Sequence, residues 1–237
     1  VRLNDVAPDG AATRVTYGLL SLTHRDSHES PEPLVPGRRY RVRVPLKHIG
    51  QRFAVGHRLR LALSTSYWPI AWAPPEPVTL TVHTGASRLR LPVRAAASAD
   101  ADLPAFAEVM GARPLARDEI EAPESAWRVT HDLAEDEHAL EIRTGLGTVR
   151  FPGTRLTVTT RGLERYSVTG DACGSQRGEA RWSIAFSRDG WRVETVTHTV
   201  LTCSADAFHV TAELEAFENG ALAHKQAWQR DIRRNLI

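Results

Sequence analysis

Cysteine and lysine are almost missing from these 237 residues: the chain has only Cys173, Cys203, Lys47 and Lys225. Two cysteines so far apart offer neither metal-ligand spacing nor a C-x-x-C redox pair, so they read as free thiols of a reducing cytoplasm, or as a disulfide should their strands be neighbours. Net charge is scarce too. At +2 the chain makes no general electrostatic claim on nucleic acid or on a membrane surface. No apolar run approaches the ~20 residues of a membrane span, and VRLNDVAPDG lacks the basic-then-apolar layout of a leader. The chain opens on apolar alternation rather than on Met, as an excised piece of a larger protein would. Nucleotide loops of the G-x-G-x-x-G or Walker type are absent, as is H-E-x-x-H. The G-x-S-x-G elbow that presents a nucleophilic serine is missing as well, and CGSQRG around Ser175 lacks its spacing.

Alternation is what the chain has in quantity. In RRYRVRVPL, Tyr40, Val42 and Val44 share one face while Arg39, Arg41 and Arg43 share the other, as a half-buried strand requires. RLRLALS does the same with Leu59, Leu61 and Leu63, VTLTV with Val78, Leu80 and Val82, and SRLRLPV with Leu89, Leu91 and Val93. With TRVTYGLL these make five expected strands between Arg14 and Val93, cut by Pro- and Gly-rich turns in the manner of a sandwich or jelly roll. Residues 95–122 are Ala-rich and acidic, carry Pro104 and Pro114, and allow one short helix over 105–110; they read as a linker. Alternation then resumes at Trp127, Val129 and His131. Asp189-Gly190 and Asn219-Gly220 mark tight hairpin turns in a closing meander that ends with ALAHKQAWQR. The expected fold is all-β: residues 1–94 as the C-terminal part of a jelly-roll domain, incomplete as it stands, and residues 123–237 as a second antiparallel unit.

Chemistry is sparse on this frame. THRDSHES, Thr23 to Ser30, gathers Ser, His and Asp in eight residues, but Pro31, Pro33, Pro36 and Gly37 make it a loop. His24 and His28 then share no helical face and lack a firm third ligand, with Asp26 and Glu29 the weak candidates. The acidic run AEDEHALE, with Glu135, Asp136 and Glu137, reads as solvated turn, and His198 and His209 as ordinary strand residues. The segment FAVGHRLRLALSTSYWPIAWAPPEP stands out. Two Trp and a Tyr in six residues, interrupted by Pro, do not all fit one core, so Tyr67, Trp68, Pro69 and Trp72, with His57 and Arg58 nearby, are the candidate contact surface. The alternatives are a sugar platform and rings that simply cap the open end of the sandwich.

Three stretches in this order, NDVAPDG before a strand, PEPLVPGRRYRVRVPL, and RFAVGHRLRLALSTSYWP, resemble the C-terminal, non-catalytic β-domain of X-Pro dipeptidyl-peptidases and cocaine-esterase-like acyl hydrolases. The likeness runs from Val1 to Val93, and Trp127 to Ile237 resembles, more loosely, the further β region of some bacterial members. It implies a galactose-binding-like jelly roll packed against a Ser-His-Asp α/β-hydrolase domain of the same protein, whose substrate cleft it shapes. No catalytic residue carries over to this chain. The resemblance therefore implies an inactive chain, with no cofactor and no metal, a catalytic domain as partner and scope for a homo-oligomer. A carbohydrate-binding module and a self-associating structural domain are the rival readings.

Overall fold

Turn chemistry fixes the second half of the molecule. Asp189 and Asn219 adopt φ of 51°, each followed by a glycine at φ 82° or 84°, the pair of left-handed residues that a two-residue hairpin turn demands. These turns join β8 (Arg177–Arg188) to β9 (Trp191–Cys203) and β10 (Ala207–Glu218) to β11 (Ala221–Arg233). The computed structural model describes residues 1–95, 97, 98 and 101–237. Its architecture is all-β, with antiparallel sheets of three and eight strands, consistent with a β-sandwich.

The three-stranded sheet has the order β2-β1-β3, with β1 at Arg2–Val6, β2 at Ala12–Tyr17 and β3 at Arg58–Ala62. The PDG turn closes β1 onto β2 through Gly10 N–H to the Ala7 carbonyl at 2.9 Å. Leu3 and Val6 of the central strand are its buried apolar side chains. The eight-stranded sheet follows chain order, β11-β10-β9-β8-β7-β6, so each of these strands bonds to its sequence neighbour. Its longest member, β6 (Glu137–Phe151), meets β7 (Leu156–Thr169) on one side. On its other side β6 bonds to β5 (Glu124–Asp132) and, beyond an irregularity at Thr144 to Gly147, to β4 (Asp118–Glu121). Gly147 makes that junction possible. It sits at φ 67°, and a Cβ there would come within 2.1 Å of the Glu121 carbonyl oxygen.

Three of the five strands expected before Val93 are not strands here. Residues 39–46, 78–82 and 88–93 run without ladder partners, although TRVTYGLL and RLRLALS do contribute β2 and β3. Alternation assigns a side chain to a face, but a strand also needs a neighbour to take its backbone groups. The first of these segments reaches only the margin of β2, where Lys47 N–H donates to the Tyr17 carbonyl at 3.0 Å. Residues 105–110, expected as a short helix, are irregular. Within 95–122, residues 118–121 form β4, while Ala96, Ala99 and Asp100 lie outside the described residues.

Surface area shows the consequence. The chain exposes 17986 Å², against about 10,600 Å² for a compact monomer of 26.2 kDa. Leu59, Leu61, Leu63, Val78, Leu80, Val82 and Leu89 all contribute to the excess. Among the described residues no helix is long and apolar enough to cross a membrane.

Candidate functional site

The aromatic segment after β3 does not project freely. A bend closed by Ala71 N–H to the Tyr67 carbonyl at 2.9 Å turns it back on itself, and the Trp68–Pro69 bond is cis. Trp68 and Trp72 then meet edge to face, centroids 4.7 Å apart. Each also finds a ring on the eight-stranded sheet: Trp68 meets Tyr166 of β7 at 6.1 Å, and Trp72 meets Phe208 of β10 at 5.4 Å. Edge-to-face pairs of this kind add about 0.5–1.5 kcal/mol each beyond the area they bury. Both indoles are half-buried.

Polar groups close the seam around Ala73, the buried residue next to Trp72. Its N–H donates to Gln176 Oε1 at 3.3 Å, and its carbonyl accepts from Arg234 Nη2 at 2.6 Å. Arg234 also donates to the Ser204 carbonyl at 3.1 Å and lays its guanidinium over Phe208 at 4.7 Å. Both Gln176 and Arg234 are buried. Buried polar groups survive only when bonded, so this arginine and glutamine specify how the two sheets meet. Trp68 Nε1 and Arg234 Nε are the exceptions, buried without a partner among the described residues. Burial and the neighbouring Glu164 push the Tyr166 hydroxyl up to about 12. It stays protonated and donates to Glu164 at 2.7 Å.

Tyr67 leaves the seam for a basic corner. It packs against Tyr17 at 5.6 Å, its hydroxyl accepts from Arg14, and Arg2 stands over its ring at 5.1 Å. Lys47 lies 4.3 Å from the Tyr17 ring centre. His57, at the head of β3, bonds through Nδ1 to Asp5 Oδ1 at 2.8 Å. That is two-thirds of a catalytic triad without its nucleophile, since no serine hydroxyl bonds to His57 among the described residues. Its partner instead ties the Gly56-His57 turn to β1. Arg58 begins β3 opposite Val6 with its side chain exposed. The structure thus brings Trp68, Pro69 and Trp72 together, and sets Tyr67 and the His57 to Arg58 step on the smaller sheet.

The other candidates serve local structure. His24 ends a short 3₁₀ turn, Leu22–His24, at the head of the expected loop, and its Nδ1 approaches that of His28 to 3.4 Å, but Arg25 is engaged with Asp26 and Glu32 and covers the Tyr40 ring. Ser175 Oγ is spent on Thr169 N–H and the Ala172 carbonyl. Cys173 and Cys203 are free, Cys203 is buried, and burial pushes its thiol up. His198 caps a charged group on β8 and β9: Glu179 accepts from Arg177 at 2.9 Å and from His198 at 2.7 Å. Those bonds, that from Arg177 first, hold the Glu179 carboxyl down at about 2. His209 pairs with Asp231 across β10 and β11. One grouping escaped the sequence reading, His131 with His138 and Asp136, because strand register creates it and neighbourhood in the chain does not.

Neither a curated protein nor a solved structure matches the chain. Residues 1–105 match the family model of the X-Pro dipeptidyl-peptidase C-terminal non-catalytic domain, so that N-terminal portion is similar to this family's accessory β-domain.

Proposed function

We propose that this chain is the non-catalytic C-terminal portion of a serine acyl hydrolase of the X-Pro dipeptidyl-peptidase or acyl-esterase type. It packs on the α/β-hydrolase domain of the same protein and forms part of the wall of its substrate cleft. The family match supports the accessory role, and the exposed apolar rows of residues 59–63, 78–82 and 89–93 support the packing. Their alternation is built for a covered face, yet among the described residues most of these side chains stay some two-fifths to one-half exposed.

The docking surface in this reading lies on the β3 side of residues 1–94, including His57, Arg58 and Tyr67. Trp68, Pro69 and Trp72 act from behind, holding that surface against the second unit, 123–237, across the 95–122 connection. A galactose-binding-like sugar platform is disfavoured because both indoles are engaged with Tyr166 and Phe208. The free cysteines suit a reducing cytoplasm. The same exposed rows favour a second reading, in which another copy of the chain covers them.

The purified chain is expected to show no ester or X-Pro amide turnover above background, and to form a one-to-one complex with the α/β-hydrolase domain encoded in the same reading frame. Turnover that survives purification, or a reading frame with no nucleophile elbow, overturns the proposal. Light scattering across a concentration series separates the second reading, which alone expects dimers of the isolated chain to resist competition by the hydrolase domain.

A further inference from the structure

The hairpin of β5 and β6 carries a grouping that the accessory role does not use. Its register sets His131 directly opposite His138, and the two imidazoles stack with centroids 3.8 Å apart and planes within 16°. Asp136, last residue of the intervening turn, takes φ 50°, a left-handed conformation that Asp tolerates better than most residues. Its Oδ1 lies 2.9 Å from His131 Nε2 and 3.9 Å from His138 Nε2. One ligand atom from each of the three fits within a mutual separation of 4.8 Å.

Two of the neighbouring carboxylates are already committed. Asp132 Oδ1 accepts the N–H groups of Ala134 and Glu135 at 2.9 and 3.3 Å, closing the turn. Glu137 is gripped by Arg165 from β7. Asp136 is thus the carboxylate that the turn aims at the imidazoles, and all three side chains remain open to solvent.

We propose that His131, Asp136 and His138 bind a divalent first-row transition-metal ion, with Zn²⁺ as the reference case, clipping β5 to β6 at the turn end of their hairpin. Two imidazole nitrogens and one carboxylate oxygen suit Zn²⁺, Ni²⁺ or Cu²⁺, whereas Ca²⁺ and Mg²⁺ prefer all-oxygen shells. Zinc–ligand bonds of ~2.0–2.1 Å in tetrahedral array place donor atoms roughly 3.3 Å apart. The two aspartate–histidine distances fall on either side of that value, and closing the site requires the exposed imidazoles to turn out of their near-parallel stack so that both lone pairs meet one ion. Strand pairing has already fixed the backbone spacing of the two histidines, and little ordering remains to be done on binding. Water takes the fourth position.

The test is titration of the tag-free full chain with ZnCl₂ alone, by competition against a chromophoric chelator, with melting temperature as a second readout. One Zn²⁺ per chain with a rise in melting temperature is expected. The pair His24 and His28 provides the internal control: a chain carrying His24→Ala and His28→Ala keeps the site. His131→Ala with His138→Ala abolishes it, and Asp136→Asn weakens it about tenfold while preserving the turn residue's size. All three positions are exposed, so circular dichroism should show each variant folded; if the double His variant is not, Asp136→Asn decides alone. Absence of saturable binding, retention in the double His131/His138 variant, or unchanged affinity in Asp136→Asn overturns the proposal.

Discussion

The two halves of this molecule solve the backbone problem differently. From β6 to β11 each strand pairs with the next one in sequence, two of the five connections being Asp-Gly and Asn-Gly turns. Between Gly18 and Val93 the side-chain pattern is just as regular, yet only β3 finds a ladder, and its partner β1 lies more than fifty residues upstream. Local pairing is closed by a turn, while remote pairing needs a partner strand delivered from elsewhere. The meander is thus self-sufficient in backbone pairing, whereas most of residues 18–93 lie outside any ladder. Amphipathic patterning announces a face to be buried without saying by what.

The sharpest way to break this contrast is to cut the seam that joins the halves. Replacing Trp68 and Trp72 together by Ala is expected to cost about 3 kcal/mol, below the full-burial figure for two such rings because both are half-buried. Hydrogen exchange should rise across residues 58–73 while β8 to β11 stay protected; equal loss of protection in those strands would show that the meander is not self-sufficient. Gly147→Ala tests the meander at its least regular point. The added methyl meets the backbone of Glu121 and Ala122 in a conformation strained for alanine, and about 2–3 kcal/mol is expected, with β4 released to proteolysis near Glu121. If β4 remained protected, the Gly147 junction would not be what holds it.

The smallest effect is electrostatic. Glu179 is held at about 2, below its ordinary 4.5, so the folded chain binds this proton less readily than the unfolded one. Its stabilisation is complete above pH 4.5 and is lost as pH falls toward 2. With Arg177 partly open to solvent, screening limits this to about 1 kcal/mol. Glu179→Gln should lower neutral-pH stability by that amount and flatten the acid limb of a urea-midpoint profile; an unaltered limb would remove Glu179 from the account.

How legible all this was in the sequence follows the same division. The turns at 189–190 and 219–220, and the strands around them, were readable because their determinants sit within a few residues of one another. The strands expected at 39–46, 78–82 and 88–93 were not found, because face preference was taken for pairing. Tyr67 to Trp72 stood out through density of aromatics. That two of its rings would rest on Tyr166 and Phe208 was not readable, since nothing local encodes contacts across a hundred residues. His131 and His138 flank the DLAED stretch almost symmetrically, and only the assumption of a hairpin in that register would have brought them together.

The split of one margin of β6 into two short segments has a consequence for behaviour in a crowded solution. A straight unpaired strand fifteen residues long would invite an incoming chain to continue the ladder indefinitely. Here the irregularity at Gly147 divides that margin between β5 and β4, so a guest meets two short edges instead of one long one. The opposite margin, β11, relies on Lys225, Arg230, Asp231 and Arg233 to repel or solvate one. Geometry interrupts one rim and charge guards the other.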